Sequence, residues 1–284
     1  YKRQIRRYTM KINLKKELIG HIILIISLLI CLWPIVFLIS ASLKDLNQIF
    51  QYPLNPLPEN PSLSNYLTVL DRFPIFQFTG NTFFIAITVT LFKIITSLLA
   101  GFGFVYYRFK GRELLFNSMV LTFFIPMSVL IMPNYLLISS LGLLDTPYGV
   151  ILVEIVDGMG IYLMRQTMRS IPKSIYECAI LEGGSPLYIL WHIILPLVRP
   201  SVISISIMFF INAWNEYFWP LLILKSKTEY TLALALPMFI SAEGGSEWGL
   251  AMALAVLTSI LPFILFIICQ KYILNTFIQS GVKG

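Results

Sequence analysis

Ionisable side chains stand inside stretches of this sequence that are otherwise strongly apolar. Lys93 lies in one such stretch, Glu154 and Asp157 in a second and Glu216 in a third. Charged groups at membrane depth are costly, and they usually face a protein interior or a water-filled path. For Lys93 the sequence leaves two interpretations open: a structural ion pair within a helix bundle, or a role in transport. The two glycines that follow Asp157 predict a helix packed closely against a partner or lining a cavity.

A second group of residues combines aromatic rings with amides and a carboxylate. Residues 212–220 read NAWNEYFWP. Rings can stack on the C–H faces of a sugar, and amide and carboxylate groups can pair with its hydroxyls. Helical spacing predicts that Asn212, Asn215, Glu216 and Trp219 share one broad face, with Pro220 loosening the backbone. The alternative is an aromatic belt at the outer membrane interface. The predicted substrate-path residues are Asn212, Trp214, Asn215, Glu216, Tyr217 and Trp219.

A third group forms a polar elbow between two apolar runs. Residues 177–200 read ECAILEGGSPLYILWHIILPLVRP. Pro172 suits the first position of a helix, and Gly183 suits the position just past a helix end. Ser185 suits the cap of the next helix, with Pro186 as its first residue. The pattern predicts a short helix, a glycine turn, and a second helix that enters the next span.

One face of the first elbow helix is predicted to carry small or moderate side chains. Ile175, Cys178 and Ala179 share that face by helical spacing, and Glu177 and Glu182 flank it. A polar elbow with such a face, presented at a membrane surface, suits docking into a groove of another protein. The alternative is an ordinary linker between two spans, and spacing alone does not decide between them.

The elbow resembles the EAA loop of bacterial ABC-importer permeases, in which E-A-A-x-x-x-G precedes I-x-L-P. The matching residues are Glu177, Ala179, Gly183, Ile193, Leu195 and Pro196. Two positions depart from the family pattern: Cys178 replaces an alanine and Glu182 replaces an aspartate. In that family the loop is a coupling helix held by the ATPase subunit. The resemblance therefore implies that Glu177, Cys178, Ala179, Glu182, Gly183 and Pro186 contact an ATPase.

The resemblance extends along most of the chain. Residues 214–220 resemble the W-N-E-[FY]-x-W-P signature of carbohydrate-type permeases like MalG, and so do Asn65-Tyr66 and the ending G-V-K-G. The family implies a second homologous permease, two ABC ATPase subunits and an extracytoplasmic sugar-binding protein as partners. It also implies that ATP and Mg bind to the ATPases, with no cofactor in this chain. By the same resemblance, the tail at residues 279–284 reaches the ATPase dimer interface.

The composition indicates an integral membrane protein, so membrane helices must position the polar residues described above. Of 284 residues, 57% are hydrophobic and 12% are charged, and the mean hydropathy is +0.79. Soluble domains carry about 25% charged residues. The net charge of +7 is concentrated in short connections between apolar runs, as in cytoplasmic loops, which argues against nucleic acid as a partner.

The order of apolar runs predicts an all-α integral membrane protein with six transmembrane helices and the coupling loop between helices 4 and 5. The predicted spans are residues 18–42, 82–107, 114–137, 148–168, 193–224 and 248–273. The domain boundaries are a cytoplasmic tail at 1–17, a permease domain at 18–275 with its coupling loop at 170–192, and a cytoplasmic tail at 276–284. Both termini are expected to be cytoplasmic, in the plasma membrane of a bacterium.

The function that these features predict is the permease subunit of an ATP-driven importer for sugars or oligosaccharides. The chain has no G-x-x-x-x-G-K-[ST] phosphate loop, so it is not itself the ATPase. The alternative is a stand-alone proton-coupled secondary transporter that uses Lys93, Glu154 or Asp157 as a relay. A membrane enzyme is disfavoured because the sequence has no catalytic triad pattern and no metal-ligand spacing.

Overall fold

The structure is a computed structural model that describes residues 14–51, 55–239 and 247–281, with side chains omitted for 14–17 and 272–281. Its α-helices are α1 (Leu14–Ser42), α2 (Leu46–Gln51), α3 (Ser64–Arg72), α4 (Ile75–Tyr106), α5 (Arg112–Leu121), α6 (Met127–Ser140), α7 (Pro147–Leu152), α8 (Gly158–Arg169), α9 (Lys173–Leu181), α10 (Pro186–Ile189), α11 (Leu195–Asn215), α12 (Phe218–Ile223), α13 (Leu232–Ala235) and α14 (Trp248–Gly281). Residues 1–13 of the predicted tail at 1–17, residues 282–284 of the predicted tail at 276–284, and residues 52–54 and 240–246 lie outside the described residues.

Long apolar helices dominate the described chain and confirm an all-helical membrane protein. Four segments are long and apolar enough to cross a membrane: Leu18–Ser42, Ile75–Tyr106, Pro186–Asn215 and Trp248–Lys271. A fifth candidate is the pair Arg112–Phe124 and Met127–Ser140, which is bent by 101°. The bend follows from Pro126, which lies between the two helices in an extended conformation and has no N–H to continue a helix.

The predicted fourth span is not a single helix. Residues 148–168 divide into α7 and α8, with a non-helical break at 153–157. Asp157 caps α8, because its side chain accepts a hydrogen bond from the Gly160 N–H. The prediction of one continuous helix here was wrong, because this cap and the side chains around it favour a restart that apolar composition alone does not reveal.

The elbow leads into a continuous helical segment, as predicted. A five-residue π-helix at Leu190–Ile194 joins α10 to α11, and Pro196 and Pro200 both lie in the first part of α11. Prolines there remove backbone N–H donors, which is consistent with a locally widened helix. The helix then ends at Asn215, and α12 begins three residues later at Phe218, so the predicted span at 193–224 is interrupted at its outer end.

Helix α4 forms the centre of the bundle and packs against α8 and α11, while α14 packs against α1, α3 and α11. Small residues allow the α4–α8 contact to be close. A Cβ atom on Gly101 would lie 2.9 Å from the Met164 Cβ, and one on Gly160 would lie 2.4 Å from the Ser97 Oγ. This close packing holds α8 against the C-terminal half of α4 as a unit.

Candidate functional site

The elbow has the geometry that its sequence predicted. Helix α9 ends at Leu181, and Gly183 follows with a φ of +84°. The Gly184 N–H donates to the Ala179 carbonyl and the Gly183 N–H donates to the Ile180 carbonyl, which together form a Schellman motif. Ser185 then caps α10 by accepting a hydrogen bond from the Tyr188 N–H, with Pro186 as the first helical residue.

The small face predicted on α9 is only partly available to a partner. Ala179 is buried, whereas Ile175 and Cys178 are exposed. Ala179 points inward because its carbonyl closes the glycine turn and its side chain joins the core with Ile189 and Leu190. Glu177, Cys178, Glu182, Gly183 and Pro186 are exposed and Ala179 is buried, and the contact of these residues with an ATPase stays a prediction.

The exposed tip of the elbow is apolar, which the sequence analysis missed. Leu181 is 86% exposed and Leu187 is 60% exposed, on either side of the glycine turn. An exposed apolar patch with polar residues at its rim is typical of a surface that contacts another protein or a membrane. The sequence did contain a signal for this apolar tip: Leu181 and Leu187 lie on either side of E-G-G-S-P, in a segment too polar to enter a membrane. We call Ile180, Leu181 and Leu187 the elbow tip.

Aromatic contacts tie the elbow to the bundle. The Tyr176 ring lies 4.4 Å from that of Tyr106 and 5.9 Å from that of Phe102, both on α4. Partial burial beside these rings raises the pKa of the Tyr176 hydroxyl. Ile189 and Leu190 pack in the same core cluster as side chains of α4, α8 and α11. A displacement of α9 would therefore be transmitted to three helices of the bundle.

The intramembrane charges form an ion pair. The Lys93 ammonium lies 2.5 Å from a Glu154 carboxylate oxygen and 3.7 Å from one of Asp157, and it lies over the Phe209 ring at 5.5 Å from the centroid. The Lys93 side chain is 10% exposed, while those of Glu154 and Asp157 are 28% and 27% exposed. The ion pair thus joins α4 to the break between α7 and α8 and keeps two partly open carboxylates at membrane depth.

A small polar cavity connects this ion pair to the NAWNEYFWP segment. Its volume is about 50 Å³, and Lys93, Glu154, Asn212 and Glu216 all line it. The Thr231 hydroxyl also lines it, is buried, and has no hydrogen-bond partner among the residues the structure describes. The volume admits about one to three water molecules and is well below the roughly 300 Å³ at which small-molecule pockets begin.

The NAWNEYFWP residues do not share one helix face. The helix ends at Asn215, and Glu216 accepts hydrogen bonds from the N–H groups of Phe218 and Trp219, which starts α12. Trp219 therefore belongs to a different helix from Asn212 and Asn215. The prediction of a common face was wrong because a helix restart was not recognised.

The two tryptophans are core residues in this conformation. Trp214 and Trp219 are each 1% exposed, and the Trp214 indole N–H donates to the Thr258 carbonyl of α14. Neither ring offers a face for stacking on a sugar. Asn212, Asn215 and Tyr217 are exposed and Glu216 is partly exposed, so the polar part of the predicted path remains accessible while its tryptophans do not.

Comparison with known sequences places this geometry in a family. A family described as "binding-protein-dependent transport system inner membrane component" matches residues 93–278. The chain is 30% identical over 273 residues to the sn-glycerol-3-phosphate transport system permease protein UgpE of Yersinia pestis bv. Antiqua, with 93% of this chain and 96% of the relative covered. The Brucella melitensis protein of the same name is 28% identical over 272 residues, with the same coverage.

Solved structures agree with the sequence relatives. A chain of a bacterial ABC transporter involved in the import of the acidic polysaccharide alginate matches with a TM-score of 0.81 and 25% identity, covering 90% of this chain and 95% of that one. A chain from the alginate transporter in complex with its pentasaccharide-bound periplasmic protein matches in fold, with a TM-score of 0.67 and 14% identity. The chain belongs to the family of inner membrane components of binding-protein-dependent transport systems.

Proposed function

We propose that this chain is the permease subunit of an ATP-driven importer for sugars, oligosaccharides or related polyol phosphates. Its relatives are named for sn-glycerol-3-phosphate, and a similar structure is from an alginate importer. The observation that carries the proposal is the elbow: a hydrogen-bonded helix–glycine–helix unit with an exposed apolar tip, anchored to three bundle helices. The proton-coupled alternative is not favoured by any of these comparisons.

The topology that we propose has six membrane crossings. The four long segments and the bent pair supply five, and α7 with α8 supplies the sixth as a broken crossing. The basic connections, among them residues 108–112 and 165–173, then lie on the cytoplasmic side with the elbow and both termini. This assignment makes residues 170–192 the cytoplasmic coupling loop.

The elbow in this proposal docks into an ATPase subunit. The contact residues are Glu177, Cys178, Glu182, Gly183 and Pro186 together with the elbow tip, while Ala179 supports the turn from inside. ATP and Mg bind to the ATPases, and this chain holds no cofactor. Closure of the ATPases displaces α9, and Tyr176 transmits the displacement to α4. The bundle then switches between inward-open and outward-open forms as rigid bodies.

The remaining partners are a second homologous permease and an extracytoplasmic binding protein. The open carboxylates of Glu154 and Asp157, with Asn212, Asn215 and Glu216, form a polar surface at membrane depth. A surface of that kind is unfavourable against lipid and is suited to a protein partner or an aqueous path. We assign it to the side that faces the second permease and the substrate path.

The test is recovery of partners with the tagged chain from native membranes in mild detergent, followed by mass spectrometry. We expect an ATPase and a second permease with the unmodified chain. Leu181→Ser should weaken ATPase recovery, because an 86% exposed leucine that becomes buried contributes about 1.5–3 kcal/mol, or roughly 10- to 150-fold in affinity.

Two further variants sharpen this test. Gly183→Trp forces a bulky residue into a backbone with φ of +84° and should abolish ATPase recovery. Leu67→Ser removes a comparably exposed leucine from α3, far from the elbow, and should leave recovery unchanged. Recovery of the chain alone, still active in uptake, would refute the coupling role and direct attention to the intramembrane carboxylates.

A further inference from the structure

A basic cavity lies beside the elbow. Its volume is about 800 Å³, and it is enclosed by the end of α4, the 107–111 connection, the start of α5 and the first turns of α9. Arg108, Arg112 and Lys173 line it, opposed by Glu113 and Glu177. Gly111, with a φ of +82°, turns the chain so that Arg108 and Arg112 lie at the same mouth.

A second cavity of about 350 Å³ shares Arg112, Glu113 and Lys173 with the first and adds Arg165 and Arg169. The two cavities together hold five cations against two carboxylates, a net charge of +3. Both oxygens of Glu113 accept hydrogen bonds from Arg165. Arg112 also donates to Glu113, so this carboxylate is shared by Arg165 and Arg112, and Arg108, Arg169 and Lys173 are the cations that remain to act on a bound anion.

Arg165 adds an unmatched donor to this region. Its guanidinium lies 3.7 Å from the centre of the Phe116 ring, and the residue is 7% exposed. Its Nε has no hydrogen-bond partner in the part of the chain that the structure describes. A buried guanidinium N–H without an acceptor is costly, so the cavity favours a ligand or water that supplies an oxygen.

Exposed leucines lie on α5 beside the basic mouth. Leu114 lines the first cavity, and Leu114, Leu115 and Leu121 are exposed on α5, with the polar residues Asn117 and Ser118 exposed between them. Helix α5 belongs to the bent membrane-span pair, so the leucines extend from the cations into a candidate membrane segment. Cations at one end and exposed leucines along the adjoining helix match a phosphate headgroup with attached acyl chains. A free phosphate ion has no apolar part that could contact the leucines.

We propose that this cavity binds the headgroup of an anionic phospholipid, with the acyl chains along α5. The proposal rests on the orientation given above, in which the elbow end is cytoplasmic. Because Lys173 and Tyr176 belong to α9, a lipid bound here contacts the elbow directly. Lipid occupancy therefore stiffens the link between the elbow and α4 and in this way regulates coupling.

The experiment uses the detergent-solubilised complex of this chain with its partners, titrated with phosphatidylglycerol or phosphatidylcholine of the same chain length and followed by native mass spectrometry. We expect phosphatidylglycerol to be retained preferentially. Arg108→Gln/Lys173→Gln should weaken its apparent affinity roughly 25-fold, about fivefold for each cation removed. Lys225→Gln/Lys227→Gln removes two lysines from the opposite end of the molecule and should change nothing.

Three results would overturn the proposal. The first is equal binding of the two lipids. The second is displacement of phosphatidylglycerol by an equal concentration of sn-glycerol-1-phosphate, which would show that the site binds small phosphates. The third is a double variant that loses its ATPase subunits but keeps its lipid, which would show that the cavity belongs to the ATPase contact. If the double variant does not assemble, Arg108→Gln alone, in the exposed connection, is expected to show the fivefold loss. ATPase recovery with the unmodified chain separately reports on the proposed function.

Discussion

The ion pair at Lys93 makes a quantitative prediction about Lys93→Met. Methionine has a similar length and no charge, so the change removes the cation with little change in packing. Breaking a fully buried ion pair costs about 3–5 kcal/mol. The carboxylates of Glu154 and Asp157 are about a quarter exposed and are partly solvated. We therefore expect a loss of about 2–3 kcal/mol in the free energy of unfolding.

The double variant Lys93→Met/Glu154→Met separates a structural pair from a titrating relay. Replacing both partners of a poorly solvated pair by apolar side chains is often neutral, so at least half of the loss should be recovered. Asp157 remains in place because it also caps α8. Arg72→Met serves as a control: its pair with Glu247 is about half exposed and should contribute no more than about 1 kcal/mol.

Two assays decide the outcome. The first is the thermal midpoint of the solubilised complex for each variant, and the second is uptake into right-side-out or reconstituted vesicles that contain ATP inside, with and without a protonophore. We expect the double variant to retain ATP-dependent uptake that the protonophore does not affect. A double variant that assembles normally but does not transport would refute the structural interpretation of the pair and revive the proton-relay mechanism.

Three other changes test the close packing, the outer turn and the elbow. Gly160→Ala places a Cβ 2.5 Å from the Phe209 ring and should lower the free energy of unfolding by about 1–3 kcal/mol, which a fall in the thermal midpoint of the complex would report. In the control Gly103→Ala the added Cβ meets nothing within 4 Å, and the thermal midpoint should equal that of the unmodified chain. Asp145 accepts hydrogen bonds from the Ser226 hydroxyl and from the N–H groups of Ser226 and Lys225, which lowers the pKa of its carboxyl. Its stabilising contribution is therefore present above the ordinary aspartate pKa near 4 and is lost as pH falls through the lower folded value. Hydrogen exchange of the Lys225 and Ser226 amides should rise over that range, after correction for intrinsic rates, and in Asp145→Asn this pH dependence should be absent. Gly183→Ala should destabilise the elbow turn by about 1–2 kcal/mol and lower ATPase recovery, because an alanine is strained at this positive φ. Gly80→Ala adds its Cβ in open space on a helix with ordinary φ and should leave ATPase recovery unchanged. Equal effects of the two changes would contradict the argument from backbone strain.

Much of the elbow could be predicted from sequence because its signals are local. A glycine at a positive φ, a serine cap and a proline at the first helical position depend on neighbours within a few residues. Side-chain exposure is not local in this sense. Ala179 is buried because Ile189 folds back against it across the glycine turn, and helical spacing within α9 contains no information about that contact.

Residues 212–220 also show that local sequence does not reveal contacts between distant segments. The signature around Asn212 to Pro220 identified the family, yet it was misread as one helix, because a glutamate that caps the following helix looks the same in sequence as a glutamate within a helix. The burial of Trp214 depends on the Thr258 carbonyl of α14, which lies 44 residues away in the chain.

By itself the sequence determined that this chain spans a membrane, where its long apolar runs lie and where the polar elbow begins and ends, since hydrophobicity and helix punctuation act over one span or one turn. The tertiary structure alone decided that Lys93 pairs with Glu154, that the predicted fourth span breaks at 153–157, and that cations from α5, α8 and α9 meet at one cavity. Those features arise where separate helices approach one another, and a contact between distant segments is set by packing, which no single stretch of sequence encodes.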